Sequence, residues 1–387
     1  MQYFHGYGDY PDSPGHRNEG GKPYFDIQTK ALNPAFFQVL DIRMQALWEN
    51  GFLVAIPTTW WGKTNNCVFT PEDAKHMSTY CAVRYGAFNA IWSLSGEYQY
   101  AFKDCGWTPE DINLLGKSVQ EHNPLKRPLS IHPSGRTNWD PPHDTQSSLP
   151  FHDQVWLDHH WLQTGQSRDR LHYMISRPAE TRALEPPVPV FLSEAFYERP
   201  DDPEGAYTSR WQVWTSLIQG TCGFGYGAFG LWQFYDPDDP QGETGKFTGR
   251  EVPWWEAQQF QGSSEVQHVK AALNQLDWWK LEPAMDRIVV DGKPGVLPTA
   301  EDISPPQAAS VGKDTWFVYI PRGNASKTIE LTGVKSGHWS GTWIDPRTGA
   351  QFPSGQITRE RNTMTLPKLP LPDEEDWVFL AKSVLPE

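Results

Sequence analysis

The sequence has no long apolar run, no excess of basic residues and few cysteines, and each lack removes a class of function. No stretch approaches the ~20 apolar residues that span a bilayer, so no membrane partner is expected. The opening MQYFHGYGDYPDSPGH has neither the basic start nor the apolar middle of a secretion signal. Lys and Arg number 33 against 47 Asp and Glu, a formal net charge of −14. That balance repels polyphosphates, so nucleic acid is not an expected partner. The four cysteines (Cys67, Cys81, Cys105, Cys222) show no CxxC and no metal-type spacing. One or two disulfides fit them, and so do free buried thiols, which leaves the compartment open. Neither HPSG (132–135) nor the glycine-rich 220–230 run carries the Lys-Ser/Thr and helix start of a phosphate loop.

Aromatic residues, by contrast, are abundant: 19 Trp, 14 Tyr and 19 Phe, in a chain of mean hydropathy −0.60. Most of the Trp are expected in a core. A few could line a groove for a ligand with flat apolar faces, such as a sugar ring. A length of 387 residues fits one large domain and one smaller one.

Residues 33–281 alternate helix-like and strand-like segments. Asn33-Pro34 opens a helix as cap and first-turn proline, and Gly51 stops it. TPED occurs at 70–73 and 108–111, each a Thr cap with acids near the positive end of the helix dipole. Strands are expected at 52–60, 87–97, 129–135, 155–165, 188–197 and 223–235, and helices at about 166–182, 205–219 and 263–281. This is a series of six βα units and argues a parallel sheet with helices outside. From about 285, short alternating runs split by Gly, Pro and Asn predict a small antiparallel β-sandwich. The domain boundary is drawn at 283/284.

Catalytic groups of a (β/α)8 barrel sit where strands end. Glu97 ends AIWSLSGE and Glu194 ends PVFLSE. Two carboxylates at a barrel mouth suit glycoside hydrolysis: one protonates the leaving oxygen, the other attacks the anomeric carbon or activates water. Burial beside aromatics would raise the pKa of the acid. A lone Glu after an apolar run is more simply a helix cap or an Arg partner; two of them, each followed closely by Tyr, favour function. Trp60, Trp61, His132, Asp158, His159, Tyr226 and Trp232 also fall at predicted strand ends.

Metal sites are weaker readings. His159 and His160 are adjacent and on a strand would face opposite ways. His143, Asp144, His152 and Asp153 lie in a Pro/Ser-rich loop that reads as solvated, and Asp236, Asp238 and Asp239 read as a polar turn before a calcium site. No metal and no cofactor is expected. Asn324-Ala325-Ser326 is a glycosylation acceptor in form only.

A string of motifs in order resembles the apiosidase-like glycoside hydrolases, glycoside hydrolase family 140 among them. The motifs are IWSLSGEY (91–98), LSIHPSG (129–135), WLDHHWLQTGQ (156–166), PVFLSEAFYE (189–198) and GTCGFGYGAFGLWQFY (220–235). Residues 314–387 are similar to that family's C-terminal sandwich, sometimes labelled collagen-binding. The resemblance covers essentially the whole chain. It implies an α/β (β/α)8 TIM-type barrel over 1–283, with the family's first two strands absent from this chain, then a β-sandwich over 284–387. It makes Glu194 the nucleophile and Glu97 the acid/base of a retaining glycosidase with a carbohydrate substrate. Substrate contacts fall on His132, Asp158, His159, Tyr226, Trp232 and Gln233 at the mouth, beside Trp60, Trp61, Tyr98 and Tyr197. Glu198 reads as a structural partner of Tyr197 or of an Arg such as Arg136 or Arg210. Ser193 and Ala195 stand where relatives often carry Gly and Pro. A polymer substrate implies secretion. The rival is a non-catalytic carbohydrate-binding or scaffold protein on a remnant barrel: six units alone would leave an open sheet edge, while the intact glutamate pair opposes it.

Overall fold

The structure is a computed structural model and describes residues 18–384 apart from 27, 62–66, 68, 136–145, 233, 239–250, 358 and 372. The chain divides into two compact units, Met1–Gln163 with Ala183–Ser193, and Thr164–Arg182 with Glu194–Glu387.

The first unit opens with a hairpin, β1 (Tyr24–Asp26) and β2 (Ala31–Leu32), followed by α1 (Pro34–Glu49). Then come β3 (Val54–Pro57), α2 (Pro71–Tyr85), β4 (Ala90–Ser93), α3 (Gln99–Cys105), α4 (Pro109–Glu121), β5 (Leu129–Ser130) and β6 (His160–Gln163). Strand β7 (Val190–Glu194) closes it, with its last residue counted in the second unit. The predicted caps form. The Asn33 side chain accepts the Ala35 N–H, and Thr70 and Thr108 each build a capping box with the Asp three residues on.

Strands β3, β4 and β5 run parallel, pairing Val54 with Ala90 and Trp92 with Leu129; β6 adjoins β7. The strands are shorter than predicted. Past their ends the ladder continues as single bonds, Thr58 N–H to Ser93 O, Leu94 N–H to Ser130 O and His132 N–H to Ser95 O. Phe37, Met44, Met77, Trp92, Leu115 and Ile131 are among the buried core residues of this unit. Gly116 lets Trp156 lie on α4: a Cβ there would fall 2.5 Å from the indole. Cys67 and Cys105 form a disulfide, while Cys81 and Cys222 are free.

In the second unit α5 (Tyr173–Arg182) and α6 (Gly205–Ile218) precede a short β8 (Gly223–Phe224). The predicted helix at 263–281 is broken into α8 (Gln261–Glu265) and α9 (His268–Leu273), preceded by α7 (Trp254–Ala257) and followed by a 3₁₀ turn, Trp278–Lys280. Ser263 and Ser264 hydroxyls bond the carbonyls of Phe260 and Gln261, competing with a continuous helix.

The chain then enters two antiparallel sheets. The first contains β10 (Ile288–Val290), β11 (Lys293–Pro294), β14 (Ile329–Thr332), β17 (Arg359–Glu360) and β18 (Thr363–Thr365), in the order β11-β10-β14-β18-β17. The second contains β9 (Glu282–Pro283), β12 (Gln307–Val311), β13 (Thr315–Ile320), β15 (His338–Ile344), β16 (Gln351–Ile357) and β19 (Trp377–Val384), in the order β16-β15-β19-β13-β12-β9. Trp316, Trp339, Trp343, Trp377 and Phe379 are buried in one cluster of their core.

The compact units cut across the boundary at 283 because α6 is tied to the sheets. The Trp211 indole donates to Ile303 O at 2.9 Å, and Gln219 donates to Gln307 at 3.0 Å. Arg210, buried on α6, pairs with Asp376 at 2.8 Å and with Glu265; the Tyr319 hydroxyl donates to Asp376 at 3.0 Å. Among the described residues no helix is long and apolar enough to cross a membrane.

Candidate active site

In the first unit Glu97 follows β4 with φ +50°, a left-handed conformation uncommon for a residue with a side chain. Gly96 just before it touches Trp60 so closely that a Cβ would lie 1.8 Å from the indole. A glycine here lets Trp60 bridge to the end of β4. The His132 ring stacks on Trp60, centroids 5.5 Å apart and planes at 26°, with Trp161 edge-on to it at 5.8 Å. His132 Nδ1 lies 3.0 Å from Ser193 Oγ, and Ser193 Oγ donates its own proton to Leu162 O at 2.9 Å. His132 Nδ1 is therefore the donor, and in the neutral ring Nε2 is the basic nitrogen. The half-buried Glu97 accepts from Gln163 Nε2 at 3.4 Å.

Three predicted site residues of this unit, Trp61, Tyr98 and Asp158, do not join that cluster, and a fourth, His159, meets it through Trp161. Trp61 is fully buried against Trp107, centroids 4.6 Å apart, because successive residues of an extended chain point to opposite sides. Tyr98 is fully buried as well, its hydroxyl donating to Ser147 O at 2.9 Å and its ring packed on Phe102 and Phe151. Asp158 and His159 precede β6 instead of ending it. Asp158 accepts the N–H of Leu129, at the start of β5, and burial raises its pKa. His159 accepts from the Trp161 indole at 2.7 Å, and burial lowers its pKa to about 4. The physical reason is the strand itself: the ladder begins at His160, so the residues at its C-terminal end are Leu162 and Gln163.

In the second unit Glu194 closes β7 half-buried and accepts from Gln166 Nε2 at 3.3 Å. The same Gln166 amide donates to Ala195 O at 2.7 Å and accepts the Tyr197 N–H at 2.8 Å. It thus fixes the turn that follows Glu194. Tyr197 packs on Phe229 and Trp232, and a Cβ on Gly227 would fall 2.2 Å from its ring.

Glu198 is buried and accepts from the Tyr226 hydroxyl at 2.6 Å and from the Gly262 N–H at 3.1 Å. Burial raises its pKa, with those two bonds opposing; burial, then Glu198 itself, raise that of Tyr226. The partners of Glu198 are thus Tyr226 and α8, and not Arg210, which Asp376 and Glu265 hold. Tyr226 is correspondingly engaged by Glu198. Gln233, Arg136, His143, Asp144 and Asp239 lie outside the described residues. Among the described residues no three His, Cys, Asp or Glu side chains are grouped to hold a metal.

Gln163 and Gln166 were missed from the sequence. Their signal was their position at and just beyond the end of a strand; setting that strand at 155–165 instead of at its true end hid it.

A family model described as an apiosidase-like catalytic domain matches residues 9–280, and one described as a putative collagen-binding domain of a collagenase matches 301–382. A glycoside hydrolase family 5 structure from Bacteroides vulgatus ATCC 8482 is similar at 18% identity and a TM-score of 0.72, over 90% of this chain and 74% of that one. Another structure, described as a glycoside hydrolase, is similar at 17% identity and a TM-score of 0.75, over 96% of this chain and 83% of that one. No curated protein matches the chain. The match to a catalytic domain over residues 9–280 places the protein in the class of glycosidases. Within that class the chain belongs to the apiosidase-like family.

Proposed function

We propose that the protein hydrolyses a glycosidic bond in a plant or microbial polysaccharide or oligosaccharide on a (β/α)8-type barrel, with retention of anomeric configuration. The carrying observation is that Glu97 follows β4 and Glu194 closes β7, each half-buried with a glutamine amide on its carboxylate. Kinship with glycoside hydrolase family 140 is the finer form of the family assignment.

In the first step Glu97, protonated, gives its proton to the leaving oxygen while Glu194 attacks the anomeric carbon. The glycosidic C–O bond breaks and a glycosyl–Glu194 ester forms. In the second step Glu97, now a carboxylate, takes a proton from water, which attacks the same carbon and releases Glu194. The Gln166 amide steadies Glu194 as its charge returns. Trp60, with the His132 ring stacked on it, offers a flat aromatic surface for a sugar ring. A polymer substrate would place the enzyme outside the cytoplasm.

The test is Glu97→Gln and Glu194→Gln. Each should cut turnover by about 10³-fold or more while oligosaccharide binding, followed by calorimetry, survives. Near-wild-type turnover in either variant sinks the assignment, and binding with no product from the wild type supports the scaffold reading. Proton NMR of the first-formed anomer decides between retention and inversion.

A further inference from the structure

Two groups of aromatic rings in the second unit lie on segments that follow the turn carrying Glu194. Tyr197, three residues after Glu194, lies 6.4 Å from Trp232 between ring centroids. Two residues on, Phe234 is 67% exposed and packs 5.8 Å from Trp254, which meets Trp255 at 5.7 Å; Trp255 is 38% exposed. Large rings at such exposure lose the burial that ordinarily justifies them.

The backbone holds them out. Phe234 has φ +52°, a conformation that costs a residue with a Cβ and that folding alone gives no reason to keep under an exposed ring. Gly230 sits at φ +95° with the Val252 carbonyl 2.1 Å from where a Cβ would be, so the two segments run in contact. Tyr235 N–H donates to Gly230 O at 3.0 Å, and Trp254 N–H donates to Tyr235 O at 2.9 Å. Phe234 and Trp254 are thus fixed on adjoining, hydrogen-bonded backbone.

We propose that Tyr197, Trp232, Phe234, Trp254 and Trp255 form a binding track for a carbohydrate chain. The apolar C–H faces of successive sugar rings would stack on the exposed rings, so that a polymer is held beyond the unit being cleaved. Rigid aromatic faces bind at little entropic cost, and they suit a neutral chain of many weak, repeated contacts. The proposal rests on the carbohydrate reading of the site.

The test is native affinity electrophoresis of the full chain, in the cold, in gels holding soluble arabinoxylan, galactomannan, xyloglucan or arabinan. Glycine is the substitution of choice at 234, because it removes the ring and suits the positive φ; Phe234→Asn is the second variant should the first melt early. At least one polysaccharide should retard the wild type. Phe234→Gly with Trp255→Ala should weaken that retardation about tenfold and leave the rate on a single-sugar aryl glycoside unchanged.

Retardation of the double variant equal to wild type, or no retardation of the wild type in any gel, overturns the track. So does a change of oligomeric state on size exclusion with retardation intact, which would make the surface a self-association face. Retardation is read without turnover, so an active Glu194→Gln would sink the hydrolase assignment and leave this result standing.

Discussion

Around Arg210 the second unit closes charge upon charge: Asp376 and Glu265 pair with the guanidinium, all three buried, and the Tyr319 hydroxyl completes Asp376. At Glu97 and Glu194 the carboxylates are instead half-buried, and each accepts from a glutamine amide, at 3.4 and 3.3 Å. The first arrangement ties a helix to a sheet and leaves no room for a ligand. The second leaves a carboxylate half-buried at the end of a strand. Burial behind several bonds suits a structural acid, while a half-buried acid at a strand end is what the proposed mechanism asks of a reactive one. Glu198, four residues after Glu194 and closed over by Tyr226 and Gly262, falls on the structural side.

The comparison breaks if the two kinds of acid respond alike to substitution. The largest effect should come from Glu194→Ala, with turnover down at least about 10³-fold. Azide should restore part of it by attacking the anomeric carbon in place of the missing carboxylate. The unfolding free energy of Glu194→Ala from urea titration should stay within about 0.5 kcal/mol of wild type. Absence of azide rescue would remove Glu194 as nucleophile.

Arg210→Met should do the reverse. Two buried carboxylates lose their counter-ion, which costs about 3–5 kcal/mol of stability. The folded fraction should keep its turnover, measured below the melting transition.

Acid should act next, through His160. Burial, with smaller contributions from His152 and His159, lowers its pKa from 6.5 to about 4. The unfolded chain therefore binds the proton more readily, and stability present above about pH 6.5 is lost as pH falls toward 4, by about 3 kcal/mol at most. Urea titrations at pH 7 and pH 4.5 should show the loss, and His160→Gln should reduce it, the remainder belonging to His159, whose pKa burial also lowers to about 4.

Tyr226→Phe removes one donor from buried Glu198 and should cost about 1–3 kcal/mol by thermal melting. A fall in turnover far beyond the loss of folded protein would move Tyr226 to the reactive side. Thr70→Ala and Thr108→Ala are the smallest, about 1 kcal/mol each, since each leaves a first-turn N–H without its cap.

Much of this was legible in the residues. Asn33, Thr70 and Thr108 announce helix starts because capping is a local matter of one side chain and the next three amides. The alternating runs after 285 became strands of the two sheets where expected, as in TWFVYI and WVFLAK. The order of motifs was enough to give the family. Local rules failed where a residue's direction depends on what lies beside it.

Trp60 and Trp61 are neighbours in an aromatic-rich segment, yet one stacks with His132 and the other lies on Trp107. Nothing in the pair tells them apart until Gly96 admits the first. Asp158 and His159 looked like a strand end because the apolar run spans 155–165, while only hydrogen bonding to neighbouring strands sets where the ladder begins. The sequence by itself determined the strand–helix alternation, the helix starts, the C-terminal β-rich region and the two glutamates, since each is written in adjacent residues. Only tertiary structure decided which aromatics are core, that Arg210 belongs to Asp376 and Glu265, and that Gln163 and Gln166 hold the carboxylates. Those pairings join residues remote in the chain, or chosen by the end of a strand, and burial and hydrogen-bond geometry are properties of the folded neighbourhood alone.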